Sequence, residues 1–206
     1  LKFDLDTPAG AQALGRELKV QFGGARAIFV AASTRDGEEA MILDTLAAKT
    51  LPAATLTVMV PRHPQRFDAV AELLRARGIP FVRRSDNAPV PPDIDVVLGD
   101  SMGELAAYYV AADVAFVGGS LLPLGGQNLI EPIATGCPTI VGPHMFNFAE
   151  ATQNAIAAGA ALKVADAKTL LETVGALLLD PARRLRMHDA ALAFHAEHRG
   201  AVLAER

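Results

Sequence analysis

Short apolar runs recur along this chain at 27–32, 56–60, 79–83, 95–98, 112–117, 139–141 and 162–164, and most are separated by stretches of helical period at 38–49, 66–77, 103–111, 129–134 and 148–158. Brief apolar runs bounded by turn residues read as buried strands, and helices placed between them force right-handed crossovers that leave the strands parallel. The pattern therefore predicts an α/β fold, a doubly wound, mostly parallel Rossmann-like sheet of about six strands with helices on both faces. Ahead of the first strand lie an extended opening over 1–6 and a helix over 7–21, with Thr7 as its cap and Pro8 in its first turn. Helices at 167–179 and from Pro181 onward close the chain. They are expected to pack on this domain or on a missing amino-terminal domain, with His188, His195 and His198 facing solvent. Nothing marks an internal boundary, so 1–206 reads as one domain.

The remaining totals narrow the function classes. Aliphatic residues dominate and Trp is absent, which suits a Val/Ile/Leu-rich parallel sheet. A formal net charge of −4 argues against a broad nucleic-acid or anionic-lipid footprint. The single Cys137 excludes an internal disulfide, fits a reducing compartment and reads as a small core residue. No run approaches the roughly 18–20 consecutive apolar residues of a membrane span, so the segment is expected to be soluble. The opening Leu1, where a methionine would stand, suggests a segment of a longer protein.

In parallel sheets ligands bind at the carboxyl ends of the strands, where loops and helix N-termini converge, and four loops on that edge carry groups suited to an anion. The densest is 118–132, GGSLLPLGGQNLIEP. There Gly119, Ser120, Gly125 and Gly126 let backbone amides approach a phosphate, Asn128 caps the following helix, and Glu131 offers acceptors to a vicinal diol such as ribose. The same residues also describe an ordinary tight turn with a cap. In 33–39, Ser33 or Thr34 offers a hydroxyl to a phosphate or sugar, while Asp36 with Glu39 makes a capping box. In 61–66, prolines on both sides of Arg62 and His63 stiffen a cationic corner suited to phosphate or carboxylate. In 99–105, Gly103 exposes amides and Glu104 offers acceptors, or else Ser101 and Glu104 simply cap a helix.

Other motifs fail. Asp93-Ile94-Asp95 precedes a strand instead of following one and reads as loop and cap. No zinc spacing, Gly-x-Ser-x-Gly elbow or Gly-x-Gly-x-x-Gly fingerprint is present, so no metal or cofactor is expected.

In order along the chain, the strings ASTRDGEEA (32–40), VPRHPQRF (60–67), GDSMGEL (99–105), FVGGSL (116–121), GGQNLIEP (125–132) and GPHMFNF (142–148) resemble the carboxyl-terminal half of 3-deoxy-D-manno-octulosonic acid (Kdo) transferases. The resemblance implies the carboxyl-terminal, donor-binding half of a GT-B glycosyltransferase. Its donor would be CMP-Kdo and its acceptor the lipid A precursor, at the cytoplasmic face of the Gram-negative inner membrane. It places Arg62 and the amides around Gly103 against the CMP phosphate or cytidine, Met102 and Glu104 beside the nucleotide, and Asn128 and Glu131 near ribose or phosphate. Gln127 stands where the family carries an amide or histidine, and Leu129 where it often carries proline. The general base, the acceptor site and the membrane anchor are expected in the missing half, so this segment alone would bind donor without transferring sugar. A departing CMP gathers negative charge on its phosphate, which Arg62 and helix-terminal amides can stabilise. Two alternatives remain open at this point: half of a nucleotide-sugar epimerase, and a non-catalytic nucleotide-binding module on the same fold.

Overall fold

The computed structural model describes residues 7–204, so the extended opening expected at 1–6 lies outside the described residues. Seven parallel strands form one sheet: β1 (Ile28–Thr34), β2 (Leu56–Pro61), β3 (Val82–Arg83), β4 (Val96–Leu98), β5 (Val114–Val117), β6 (Thr139–Val141) and β7 (Ala161–Lys163), in the order β3-β4-β2-β1-β5-β6-β7. The doubly wound α/β expectation holds: all seven apolar runs supply a strand, against the rounded total of about six, and the run at 79–83 narrows to the edge pair Val82–Arg83.

The central strand shows why the sheet needs cover on both faces. Phe29 and Ala31 of β1 enter one apolar cluster with residues of the helices α2 (Glu38–Leu46), α3 (Phe67–Ala76) and α7 (Ala167–Leu178). Their neighbours Ile28, Val30 and Ala32 enter the other, with α1 (Ala9–Gln21) and α4 (Leu105–Ala111). Successive side chains point to opposite faces, so an uninterrupted apolar strand is buried on both. A third cluster lies under α5 (Ile130–Ala134), α6 (Ala149–Ala157) and α8 (Pro181–Ala204). Among the described residues no helix is long and apolar enough to cross a membrane.

Several local expectations shift. Pro8 occupies the N-cap of α1, with ψ at 137°, and Thr7 makes no side-chain cap. The terminal helix α8 packs on α5 and α7 of this same domain, and its histidines do not simply face solvent. His188 Nδ1 meets the Gly136 carbonyl at 2.8 Å, His195 is buried, and the His198 ring stacks on Phe194. The low-polarity face of α8 is interrupted by these histidines, which disguises it in sequence. Asp95 is an ion-pair partner, held 2.7 Å from the Arg26 guanidinium. Cys137 is a buried core residue, and burial pushes its thiol well above the ordinary cysteine range.

The chain runs from β1 outward to β2, then returns to place β5 on the other side of β1. The loops that follow β1 and β5 therefore diverge, and the crevice between their carboxyl ends is the position where open α/β sheets bind ligands. Backbones meet closely there: a Cβ on Gly118 would lie 2.3 Å from the Ser33 carbonyl oxygen. Gly118→Ala is accordingly expected to cost about 1–3 kcal/mol by prising β5 from β1, read as a melting midpoint lower by roughly 2–4 °C per kcal/mol.

Candidate functional site

The glycine loop after β5 is held from the other side of the crevice. Glu38, the first residue of α2, is fully buried, and its carboxylate accepts four backbone N–H groups. One oxygen takes Arg35 N at 2.8 Å and Gly119 N at 2.8 Å; the other takes Ser120 N at 2.9 Å and Leu121 N at 3.0 Å. Successive amides converging on one point form a concavity for an anion, and here the anion is supplied by the chain itself. The amides of Gly119 and Ser120, which sequence reasoning offers to a phosphate, are consumed by Glu38. Ser120 is likewise committed: its hydroxyl donates to the Val117 carbonyl at 2.6 Å and accepts Gly142 N at 2.9 Å.

Glu39 turns inward as well. It is buried, and it accepts Thr34 Oγ1 at 3.1 Å and the Arg66 guanidinium at 3.3 Å, while Arg66 also pairs with Asp36 at 3.2 Å. Burial raises the Glu39 carboxyl above the usual glutamate range, with Arg66 and Thr34 opposing. The capping box expected of Asp36 and Glu39 does not form. Gly37 is the N-cap with φ of 94°, and Thr34 spends its hydroxyl on Glu39.

With these groups committed, a cleft of about 480 Å³ remains at the carboxyl edge. Ser33, Arg62, Met102, Gly103, Asn128 and Glu131 of the sequence-derived set line it. Arg62 is placed by β2, whose backbone stays joined to β1 through Arg62 N donating to the Thr34 carbonyl at 2.9 Å. Its Nε donates to Gln127 Oε1 at 3.3 Å. Asn128 is not the N-cap of α5, which starts one residue later than expected with Leu129 at that position; its Oδ1 instead accepts Ile130 N at 3.0 Å in a turn just ahead of the helix. Glu131, in the first turn of that helix, is partly buried with its carboxyl raised above the ordinary range, chiefly by desolvation and opposed by the nearby Arg62 charge. Met102 is exposed, and Gly103 bends the chain at φ of 75° before α4.

The other sequence-derived residues stand outside the lining: Thr34, Gly119 and Ser120 for the reasons above, and four more. His63 projects to solvent from the corner after β2. Glu104 is the N-cap of α4 and is held 3.0 Å from the Arg84 guanidinium, which also meets Asn87 at 2.9 Å. Ser101, which does line the cleft, makes no capping box with Glu104, because its hydroxyl pairs with that of Tyr108 at 2.7 Å. Gly125 and Gly126 shape the loop: Gly126 N donates to the Gly119 carbonyl, and Asn147 N to that of Gly125. Sequence reasoning missed Thr7, Thr135 and Phe148, which complete the walls, and it missed Glu38 as the loop's anchor.

A lone arginine facing a carboxyl, an amide and small polar groups suits a ligand with one anionic centre and adjoining hydroxyls. Among the described residues no group of three or more His, Cys, Asp or Glu could hold a metal. The Glu131 carboxyl makes a pH prediction. Its raised folded-state pKa means that its stabilising contribution is present in acid and is lost as pH rises through that pKa. Glu131→Gln is thus expected to melt above the parent at pH 7, with the difference shrinking as the pH falls and Glu131 takes up its proton. Thermal scans from pH 7 downward check it.

No protein-family model matches the chain. Among curated proteins it is 50% identical over 207 residues to a 3-deoxy-D-manno-octulosonic acid transferase of Bordetella pertussis, covering 98% of this chain and 48% of the relative. It is 39% identical to the enzyme of the same name from Haemophilus influenzae, again over 98% of this chain and 48% of the relative. The chain thus spans about half the length of these relatives. Among solved structures it superposes on the C-terminal CMP-Kdo binding domain of WaaA from Acinetobacter baumannii with a TM-score of 0.85 and 34% identity, covering 90% of this chain and 97% of that domain. HepE of Anabaena, solved in complex with UDP-glucose, shares the fold with a TM-score of 0.66 at 14% identity.

Proposed function

The chain belongs to the 3-deoxy-D-manno-octulosonic acid transferases, and from that premise we propose that it is the part of such an enzyme that holds the CMP-Kdo donor. The observation that carries this reading is the cleft at the β1–β5 crevice, in which Arg62 and Glu131 face one another across space lined by Asn128, Met102 and Gly103. Arg62 takes the phosphoryl group, Glu131 accepts from the ribose hydroxyls, and the exposed Met102 and the backbone at Gly103 border the base. Gln127, bonded to Arg62, sets the direction of the guanidinium.

In the transfer, the bond between the Kdo anomeric carbon and the phosphate oxygen breaks, and the electron pair leaves with CMP. The charge that develops on the phosphate is met by a guanidinium already in place, so little reorganisation is needed as it forms. The acceptor is the lipid A precursor, presented by the remainder of the protein at the cytoplasmic face of the inner membrane. Glycosyl transfer belongs to that complete assembly, and this domain contributes donor binding.

A chimera in which this chain replaces the matching half of the Bordetella pertussis relative tests the proposal. It is expected to transfer Kdo from CMP-Kdo to a lipid A precursor. A chimera that folds, yet neither transfers Kdo nor melts later when CMP is added, would contradict the reading.

A further inference from the structure

Ser33 is held in a backbone conformation that serine avoids. Its φ is 54°, and among the described residues only Lys49, Ala54 and Asn87 share a positive φ without being glycine. Those three are exposed and lie between elements, whereas Ser33 is 5% exposed and sits inside β1. The strand pairing registers the same anomaly. Ala32 is opposite Val60 and Thr34 is opposite Pro61, so Ser33 is an extra residue, a bulge in a central strand. Bulges re-aim a side chain, and backbone strain of this kind persists only where the surroundings over-determine it.

The surroundings do so. Gly118 packs its backbone on the Ser33 carbonyl, where a side chain would collide at 2.3 Å, and the flanking residues are pinned by Gly118 N donating to the Ala32 carbonyl at 2.7 Å and Arg62 N to that of Thr34. The re-aimed side chain lines the cleft beside Arg62. Unlike the Thr34 hydroxyl, which is spent on Glu39, Ser33 Oγ has no hydrogen-bond partner among the described residues. Although the residue is largely buried, Ser33 Oγ is not among the fully buried polar atoms left without a partner, so the hydroxyl opens onto the cleft, where it can donate to an acceptor bound there.

We propose that the bulge at Ser33 is a strained device that aims its hydroxyl at the phosphoryl oxygens of the bound nucleotide sugar, so that stability is given up for donor affinity. This deepens the reading of the cleft as a CMP-Kdo site and rests on it. Ser33→Gly and Ser33→Ala separate the two halves of the statement. Glycine tolerates the conformation and should raise the melting midpoint by about 2–4 °C, while alanine keeps the strain and should not. Both should weaken CMP binding about tenfold and leave cytidine, which lacks the phosphate, bound as in the parent. Variants that bind CMP like the parent, or a glycine variant that melts no later than the alanine one, would overturn the proposal while leaving the cleft's function standing. A parent protein with no affinity for CMP would overturn both.

Discussion

Glu38→Ala should lower the melting midpoint by roughly 8–16 °C and remove nucleotide binding together with it. The carboxylate accepts four backbone N–H groups at 2.8–3.0 Å in a fully buried setting. Truncation leaves those donors without partners in a space where a few waters can serve only some of them. A buried donor left unsatisfied costs about 1–3 kcal/mol, and with partial rescue by water the net is about 4 kcal/mol. At about 2–4 °C per kcal/mol for a chain of this size, that gives the stated drop. Glu38→Gln should fall between, because one carboxamide oxygen can still accept while the NH₂ group confronts backbone donors. Binding fails because the loop released at Gly119 leads directly to Gln127, Asn128 and Glu131. Melting curves of the two variants, with calorimetric titration of the folded fraction, check both halves.

Arg62→Ala should have the opposite profile, with binding lost and folding intact. Its side chain is exposed and makes one long hydrogen bond, to Gln127, so removal costs little stability. A charge-assisted contact to a phosphate in a partly desolvated cleft contributes about 2–3 kcal/mol, which corresponds to a loss in CMP affinity of roughly 30–150-fold. Arg62→Lys should recover part of it, since the charge remains but the planar fork does not. A second consequence follows within the cleft. Without the opposing guanidinium the Glu131 carboxyl should titrate still higher, so residual binding should fade at a less acid pH than in the parent.

Local chemistry was legible in the sequence, and long-range commitment was not. The alternation of short apolar runs with helical segments carried the doubly wound sheet, because an apolar strand such as 28–34 has no other stable position than one covered on both faces. Arg62 could be placed because prolines stiffen its corner, and Glu131 because the residues before α5 read as a loop and cap. Glu38 and Thr34 were misjudged for one reason: which groups a buried carboxylate or hydroxyl satisfies depends on residues far away in the chain. Glu38 reads as an ordinary first-turn acid until Gly119, 81 positions on, is found donating to it. Glu104 looked open to a ligand because nothing local announced Arg84 as its partner. The histidines of α8 suggested a wet face, whereas packing against α5 and the Gly136 carbonyl takes up His188. Ser33 was noticed for its hydroxyl, but its positive φ has no signature in residue type.

The most direct test of the account is calorimetric titration of this chain with CMP and, separately, with UMP, alongside Arg62→Ala. The account predicts one CMP bound per chain, at least tenfold more tightly than UMP, with most of that affinity lost in the variant while its melting midpoint stays at the parent value. Tighter binding of UMP than CMP, or CMP affinity unchanged by Arg62→Ala, would contradict it.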